Sequence, residues 1–266
     1  MKKIKRGYGL SHDGYIVSDV SKQYISSRYE GCIEDSVQRL SKQFKEQVHS
    51  IYVYGSVARG DAIPVTSDLD LIVVFTRALT EKENEHLRKL EKQLSDDYKQ
   101  LVRDIGFSLA QYDEVMDPST YEEQAFLKEM SVNVYGDDLG DHFGPYALTP
   151  ELAIRFNGDI GASLQRVKNR LNTASKQELP GVVQSFSKKL IRTYYSMIKA
   201  RSQIWTTKIH EQAEVVITYL PEKQSTLDTL LQWVDTPPQN IDEVRQFLIT
   251  EGEWLEEHFH EEASKY

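Results

Sequence analysis

The chain has 266 residues and a formal net charge of −9, with 39% hydrophobic and 27% charged residues, a globular balance with enough apolar material for one large core or two modest ones. The single cysteine, Cys32, excludes an internal disulfide framework and a cysteine-rich zinc site, so a reducing cytoplasm is the expected location. No apolar run approaches the roughly 18 residues that span a bilayer, the basic start Met1 to Arg6 runs into Gly7-Tyr8-Gly9 rather than a signal core, and dispersed acids disfavour long nucleic acid while favouring a cationic small molecule.

Residues 1–30 show no decisive pattern. From Ile33 the apolar positions Val37, Leu40, Phe44 and Val48 recur at spacings of three and four, which predicts an amphipathic helix ending near His49-Ser50. Two runs rich in β-branched and aromatic residues follow, Ile51 to Tyr54 and Asp70 to Phe75. They read as strands joined by a polar segment containing Gly55, Gly60 and Pro64. Leu79 to Leu101 reads as a helix that crosses back over the sheet, with Leu87, Leu90, Leu94, Tyr98 and Leu101 on one face and a capping box at Thr80 and Glu83. Ile105 to Tyr112 is the third expected strand, with Asp104 at its entrance.

Gly136 to Pro145 is dense in turn formers and marks the expected boundary between an N-terminal domain, residues 1–145, and a C-terminal one, residues 146–266. Thr149-Pro150-Glu151 is a helix start, combining an N-cap hydroxyl, a proline at the first position and an acid at the positive end of the dipole. Helices are expected at Pro150 to Ala174, Gly181 to Ile204, Lys208 to Tyr219, Ser225 to Val234 and Ile241 to Ala263. The fold class is therefore an α/β (α+β) domain with a small mixed sheet, followed by an all-α bundle.

The chemistry concentrates between Tyr52 and Val74. Asp68 and Asp70 stand two apart at the start of a strand, where alternation aims both carboxylates at one face and lets them share a divalent ion; oxygen ligands with open positions suit magnesium. Gly55-Ser56, ending the preceding strand, sets a residue without Cβ beside a hydroxyl donor, as backbone that must approach phosphate requires. Asp104 offers a third carboxylate, as metal ligand or as base for an attacking hydroxyl, and its alternation with Gly106 and Ser108 leaves one strand face small and polar.

The stretches Gly55-Ser56-Val57-Ala58-Arg59-Gly60 and Ser67-Asp68-Leu69-Asp70 resemble the signature of the DNA polymerase β-like nucleotidyltransferase superfamily. The resemblance implies that Gly55 and Ser56, with Ser67, hold triphosphate oxygens, that Asp68 and Asp70 bind Mg2+, and that Asp104 matches a third acid. More loosely, Leu190 to Ser196 and Lys208 to Pro221 are similar to the helical domain of streptomycin/spectinomycin adenylyltransferases, with Val134 to Leu139 resembling their interdomain linker. That similarity implies ATP as co-substrate, an aminoglycoside-like acceptor in a cleft closed by the bundle, and Glu211 or Glu214 on a substrate-facing helix. Lys189 and Arg192 are candidate triphosphate clamps by charge.

Simpler roles compete at several positions. Arg59 reads equally as a loop brace paired with Asp61, Glu211 and Glu214 as surface acids, and Trp205, Trp233 and Trp254 as packing residues. His258, His260 and Glu262 do not converge on one helix face and make a poor metal site. The expected activity is transfer of a nucleoside monophosphate, AMP from ATP, to a hydroxyl of a small cationic acceptor. The alternatives are adenylylation of a protein or tRNA, and a catalytically silent nucleotide-binding module.

Overall fold

The structure is a computed structural model that describes residues 4–265, the side chains of Ile241 and Glu243 set aside; Met1 to Lys3 of the basic start lie outside the described residues. Two compact units are present. One comprises residues 18–145; the other joins residues 4–17 to residues 146–265, so residues 4–17 pack with the C-terminal helices.

In the first unit, α1 (Ser27–Phe44) buries Tyr29, Cys32, Ile33, Leu40 and Phe44. It stops short of the predicted end. Lys45 takes a positive φ of 49°, a 3-10 turn follows at Lys45–Gln47, and Val48 already belongs to strand β1 (Val48–Tyr54). The apolar period of three or four carried the helix too far because Val48 faces the same core from a strand. After β1 come α2 (Gly55–Arg59), β2 (Leu69–Phe75), α3 (Glu81–Tyr98) and β3 (Ile105–Gln111). Thr80 and Glu83 form the expected capping box on α3. Two short helices, α4 (Tyr112–Met116) and α5 (Tyr121–Met130), lead into β4 (Ser131–Gly136). These three elements were not predicted, and β4 takes up Val134 to Gly136 of the stretch expected to be linker.

The sheet order is β3-β2-β1-β4, with β1 antiparallel to both β2 and β4 and β2 parallel to β3, hence a small mixed sheet of four strands. Leu69, Leu71, Val73 and Phe75 of β2 turn to a core shared with Leu40 and Phe44 of α1 and Leu87, Leu90 and Leu94 of α3. Alternation therefore sends Asp70, Ile72 and Val74 to the opposite face.

The second unit holds α6 (Pro150–Asn157), α7 (Ile160–Thr173), α8 (Leu179–Ser202), α9 (Ile209–Tyr219), α10 (Gln224–Asp235) and α11 (Ile241–Ala263). The predicted helix from Pro150 to Ala174 is interrupted at Gly158-Asp159, where a Cβ on Gly158 would lie 2.5 Å from the Ile154 carbonyl oxygen. Thr149 caps α6 through the Leu152 N–H. Helix α8 is central, buried along most of its length and packed against α6, α7, α9, α10 and α11. Residues 7–17 fold as a hook bonded to this unit: Gly7 N–H donates to Gln203, Trp205 N–H to Tyr8, and Ile16 N–H to Tyr146. Among the described residues, no helix is long and apolar enough to cross a membrane.

Candidate active site

Antiparallel and parallel pairing set three residues side by side at one end of the sheet: Tyr54 of β1 faces Asp70 of β2, which faces Gly106 of β3. All three lie on the face away from the α1/α3 core. Gly55 follows with φ 74°, in the left-handed region, and a Cβ built on it would stand 2.7 Å from Asp70 Oδ2. The carboxylate thus occupies space that any other residue at position 55 would fill. Across the sheet a Cβ on Gly106 would lie 3.8 Å from Asp70 Oδ1, so the other oxygen also faces a position without a side chain.

The Tyr54 hydroxyl is bonded to Ser108 Oγ at 3.0 Å, and its ring meets Phe126 of α5 edge-on at 5.5 Å. Burial, then the charge of Asp70 and the weaker influence of Asp68, push this phenol above its ordinary range against the opposing bond from Ser108. Both acids therefore act electrostatically on one point. Asp68 itself is held by Arg103, whose Nε donates to Oδ1 at 2.9 Å and whose Nη2 donates to Oδ2.

Other predicted residues go elsewhere. Asp104 stands just before β3 and turns its carboxylate toward the helical layer: Oδ1 accepts from Ser95 Oγ of α3 at 2.6 Å and from the Ile105 N–H at 3.0 Å. Strand alternation would have carried it onto the face of Gly106 and Ser108, but the residue precedes the strand and closes a local turn instead. Ser67 Oγ accepts from the Ile63 N–H at 2.9 Å and so ties the loop before β2. Ser56 is half-buried in the first turn of α2. Arg59 does brace Asp61, at 3.1 Å.

In the helical unit, Lys189 pairs with Asp159, which also accepts from Arg166 at 3.1 Å. Burial pushes the Lys189 ammonium below its ordinary range in spite of that pair. Arg192 is exposed on α8. Glu211 accepts from Thr206 and, at 3.3 Å, from the Tyr8 hydroxyl, while Glu214 is half-buried on α9. These bonds give Lys189 and Glu211 structural work within their own unit.

Ser108 was read as part of a small, polar strand face, but Tyr54 and Arg103 were not singled out from the sequence. The adjacency of Tyr54 to Gly55 was a usable signal, whereas the grip of Arg103 on Asp68 depends on the parallel register of β2 with β3 and leaves no local trace.

The donor set at Asp68 and Asp70 is all oxygen, the chemistry of a hard cation such as Mg2+, and the Gly55 corner keeps one carboxylate edge uncrowded. Among the described residues no three His, Cys, Asp or Glu side chains converge as a metal cluster. Two carboxylates with water and phosphate completing the shell are within the range of magnesium sites, so the group fits, provided that Arg103 yields Asp68.

Residues 33–128 match the family model described as nucleotidyltransferase domain. This segment is similar to a nucleotidyltransferase domain. It runs from α1 through the glycine corner, both acids and β3 to α5, and so contains every residue of the sheet-end site. Among solved structures, the spectinomycin adenyltransferase AAD(9) from Enterococcus faecialis, solved with ATP and spectinomycin, matches at TM-score 0.52 and 15% identity, over 84% of this chain and 98% of that one. At that identity the likeness is one of fold, and it extends beyond the matched segment into the helical unit. No curated protein matches the sequence.

Proposed function

We propose that the chain transfers AMP from ATP to a hydroxyl of a small cationic acceptor of the aminoglycoside or spectinomycin kind. The observation that carries this reading is the Asp70 carboxylate seated against a glycine of positive φ at the start of α2. In it, Asp68 and Asp70 hold the cation, and the Gly55-Ser56 turn offers backbone and hydroxyl donors to the triphosphate. Bound there, Mg2+ supplies neutralisation of charge on the phosphate oxygens. The acceptor oxygen forms a bond to the α-phosphorus, the bond to the bridging oxygen breaks, and pyrophosphate departs with that electron pair. The acceptor proton goes to water, since Asp104 stands before β3 and holds the turn through Oδ1, which accepts from Ser95 and Ile105.

Support for the acceptor class comes from the net charge of −9 and from the fold shared with an enzyme crystallised with ATP and spectinomycin. Pyrophosphate release from MgATP with streptomycin, spectinomycin and related drugs tests it. Turnover with at least one drug is expected, falling by about 10³-fold in Asp70→Asn; silence across the panel, with turnover on other hydroxyl acceptors, removes the antibiotic assignment alone.

A second reading, a nucleotide-binding module without turnover, is favoured by Gly106, which puts hydrogen where β3 could have set a third acid beside Asp70. ATP binding that is lost in Asp70→Asn, with no pyrophosphate release from any acceptor, would select it.

A further inference from the structure

Arg103 is pinned beside the sheet-end site from two directions. Its backbone N–H donates to the Ser67 carbonyl at 3.0 Å, in the turn that enters β3, and its guanidinium forms a fork on Asp68 that uses both carboxylate oxygens. The fork takes one lone pair on each oxygen and sets a positive charge against the carboxylate, so a hard cation at Asp68 meets both competition and repulsion. The pair is only partly buried, with the Arg103 side chain 41% and that of Asp68 28% exposed, so water can reach it and ease its opening. Arg103 also lines a cavity of about 530 Å³, where Arg88, Lys92 and Lys99 stand with the acids Glu91, Asp96 and Asp104.

We infer that Arg103 is a gate on the cation site: it occupies Asp68 while no divalent cation is present and yields the carboxylate when one arrives with its polyphosphate. The inference rests on the assignment of Asp68 and Asp70 as cation ligands. With the gate closed, the guanidinium neutralises one of two neighbouring acids that would otherwise repel each other. On opening, the guanidinium leaves Asp68 for a cavity in which Arg88, Lys92 and Lys99 are matched by Glu91, Asp96 and Asp104. The released charge tips that balance positive and makes the neighbourhood a better host for phosphate oxygens. Cation and polyphosphate then bind cooperatively, and the cation alone binds weakly, because it must displace a bidentate partner first. A lysine could not serve equally, since its single ammonium lacks the planar fork that engages both oxygens. Arg103 is in this sense a positioning residue, acting through Asp68.

The test is titration of the nucleotide-free full chain with Mn2+, following free ion by electron paramagnetic resonance. Arg103→Gln is expected to tighten Mn2+ binding by roughly ten-fold. Lys99→Gln removes the same charge from the same cavity without touching Asp68, and is expected to change binding by less than about two-fold. Equal effects of the two substitutions, or no tightening in Arg103→Gln, would overturn the gate. Should the wild-type affinity be too weak to measure, the appearance of binding in Arg103→Gln supports it and its absence from both overturns it. Asp70→Asn is the separate control: Mn2+ binding that survives it unchanged removes the underlying assignment of the site, whereas its loss together with an indifferent Arg103→Gln removes only the gate. Circular dichroism monitors folding, and if Arg103→Gln does not fold, Arg103→Lys takes its place. Intermediate tightening is then expected, and none would overturn the proposal.

Discussion

The sheet end around Asp70 and the interior of the helical unit handle charge in opposite ways. At the sheet end the ionic groups are half-exposed, drawn from short stretches of sequence, and arranged around a corner only glycine can occupy. In the helical unit, Lys223 lies 3.1 Å from Glu251 and 3.7 Å from the centre of the Trp254 ring, and the same carboxylate accepts from Tyr194 and Thr226. The Lys223 and Glu251 side chains are only 13% and 15% exposed. Charges buried with several partners resist rearrangement and contribute to a unique fold. Charges left half in water at a tight backbone corner keep the capacity to exchange one partner for another, which ligand binding and group transfer demand.

That contrast is sharpest at Gly55. In Gly55→Ala the new methyl group meets Asp70 Oδ2 at 2.7 Å and must adopt φ near 74°. Nucleotidyl transfer is expected to fall by about 10²-fold or more, because the carboxylate is pushed from its place, while the unfolding free energy drops by only about 1–2 kcal/mol. Pyrophosphate release and chemical denaturation measure the two separately. Transfer preserved within about ten-fold would mean that the corner is not where the chemistry occurs.

Glu251→Ala probes the other side. It strands the Lys223 ammonium and removes the acceptor of Tyr194 and Thr226, so a loss of about 3–5 kcal/mol in stability is expected. Transfer by the remaining folded molecules should stay within about three-fold of wild type. A variant that melts normally but no longer turns over would place this buried network in the reaction and erase the distinction drawn above.

The same difference explains what the sequence makes legible. Gly55-Ser56 and Asp68 to Asp70 are readable because the chemistry is local: adjacent residues and a strand period of two decide where they point. The α3 helix and its Thr80 cap are readable for the same reason. Asp104 fails this test, since the period that should aim it beside Asp70 applies only inside the strand, and the residue closes the turn one step earlier. Arg103 on Asp68 is 35 residues from its partner, and Lys223 on Glu251 is 28. Neither separation follows a helical or strand period. Strand β4 escaped for a different reason: Gly136 and the acids that follow it resemble a linker, although Ser131 to Gly136 pairs with β1.

The smallest expected effect concerns Lys199 of α8, which is 2% exposed and surrounded by Phe156, Trp205 and Tyr195, with ring centres 4.8, 5.4 and 5.7 Å from Nζ. Burial pushes its ammonium down to about 7, although the ring faces favour the charged form. Between that value and the ordinary lysine range, the unfolded chain carries a proton that the folded chain has shed, so this residue makes stability rise with pH across that window. Below about pH 7 both states are charged and the full desolvation cost stands. Lys199→Met fills a similar volume without the charge. It should therefore stabilise the protein by about 1–2 kcal/mol at pH 6, with the gain shrinking steadily toward pH 10 as the wild-type lysine sheds its proton. Urea unfolding of both proteins across that range measures the difference, in which contributions from all other titrating groups cancel. A gain that is constant with pH would show Lys199 keeping its charge in the folded state; a loss at pH 6 would show the three rings outweighing the cost of burial, and the helical unit would then hold a cation that favours its fold.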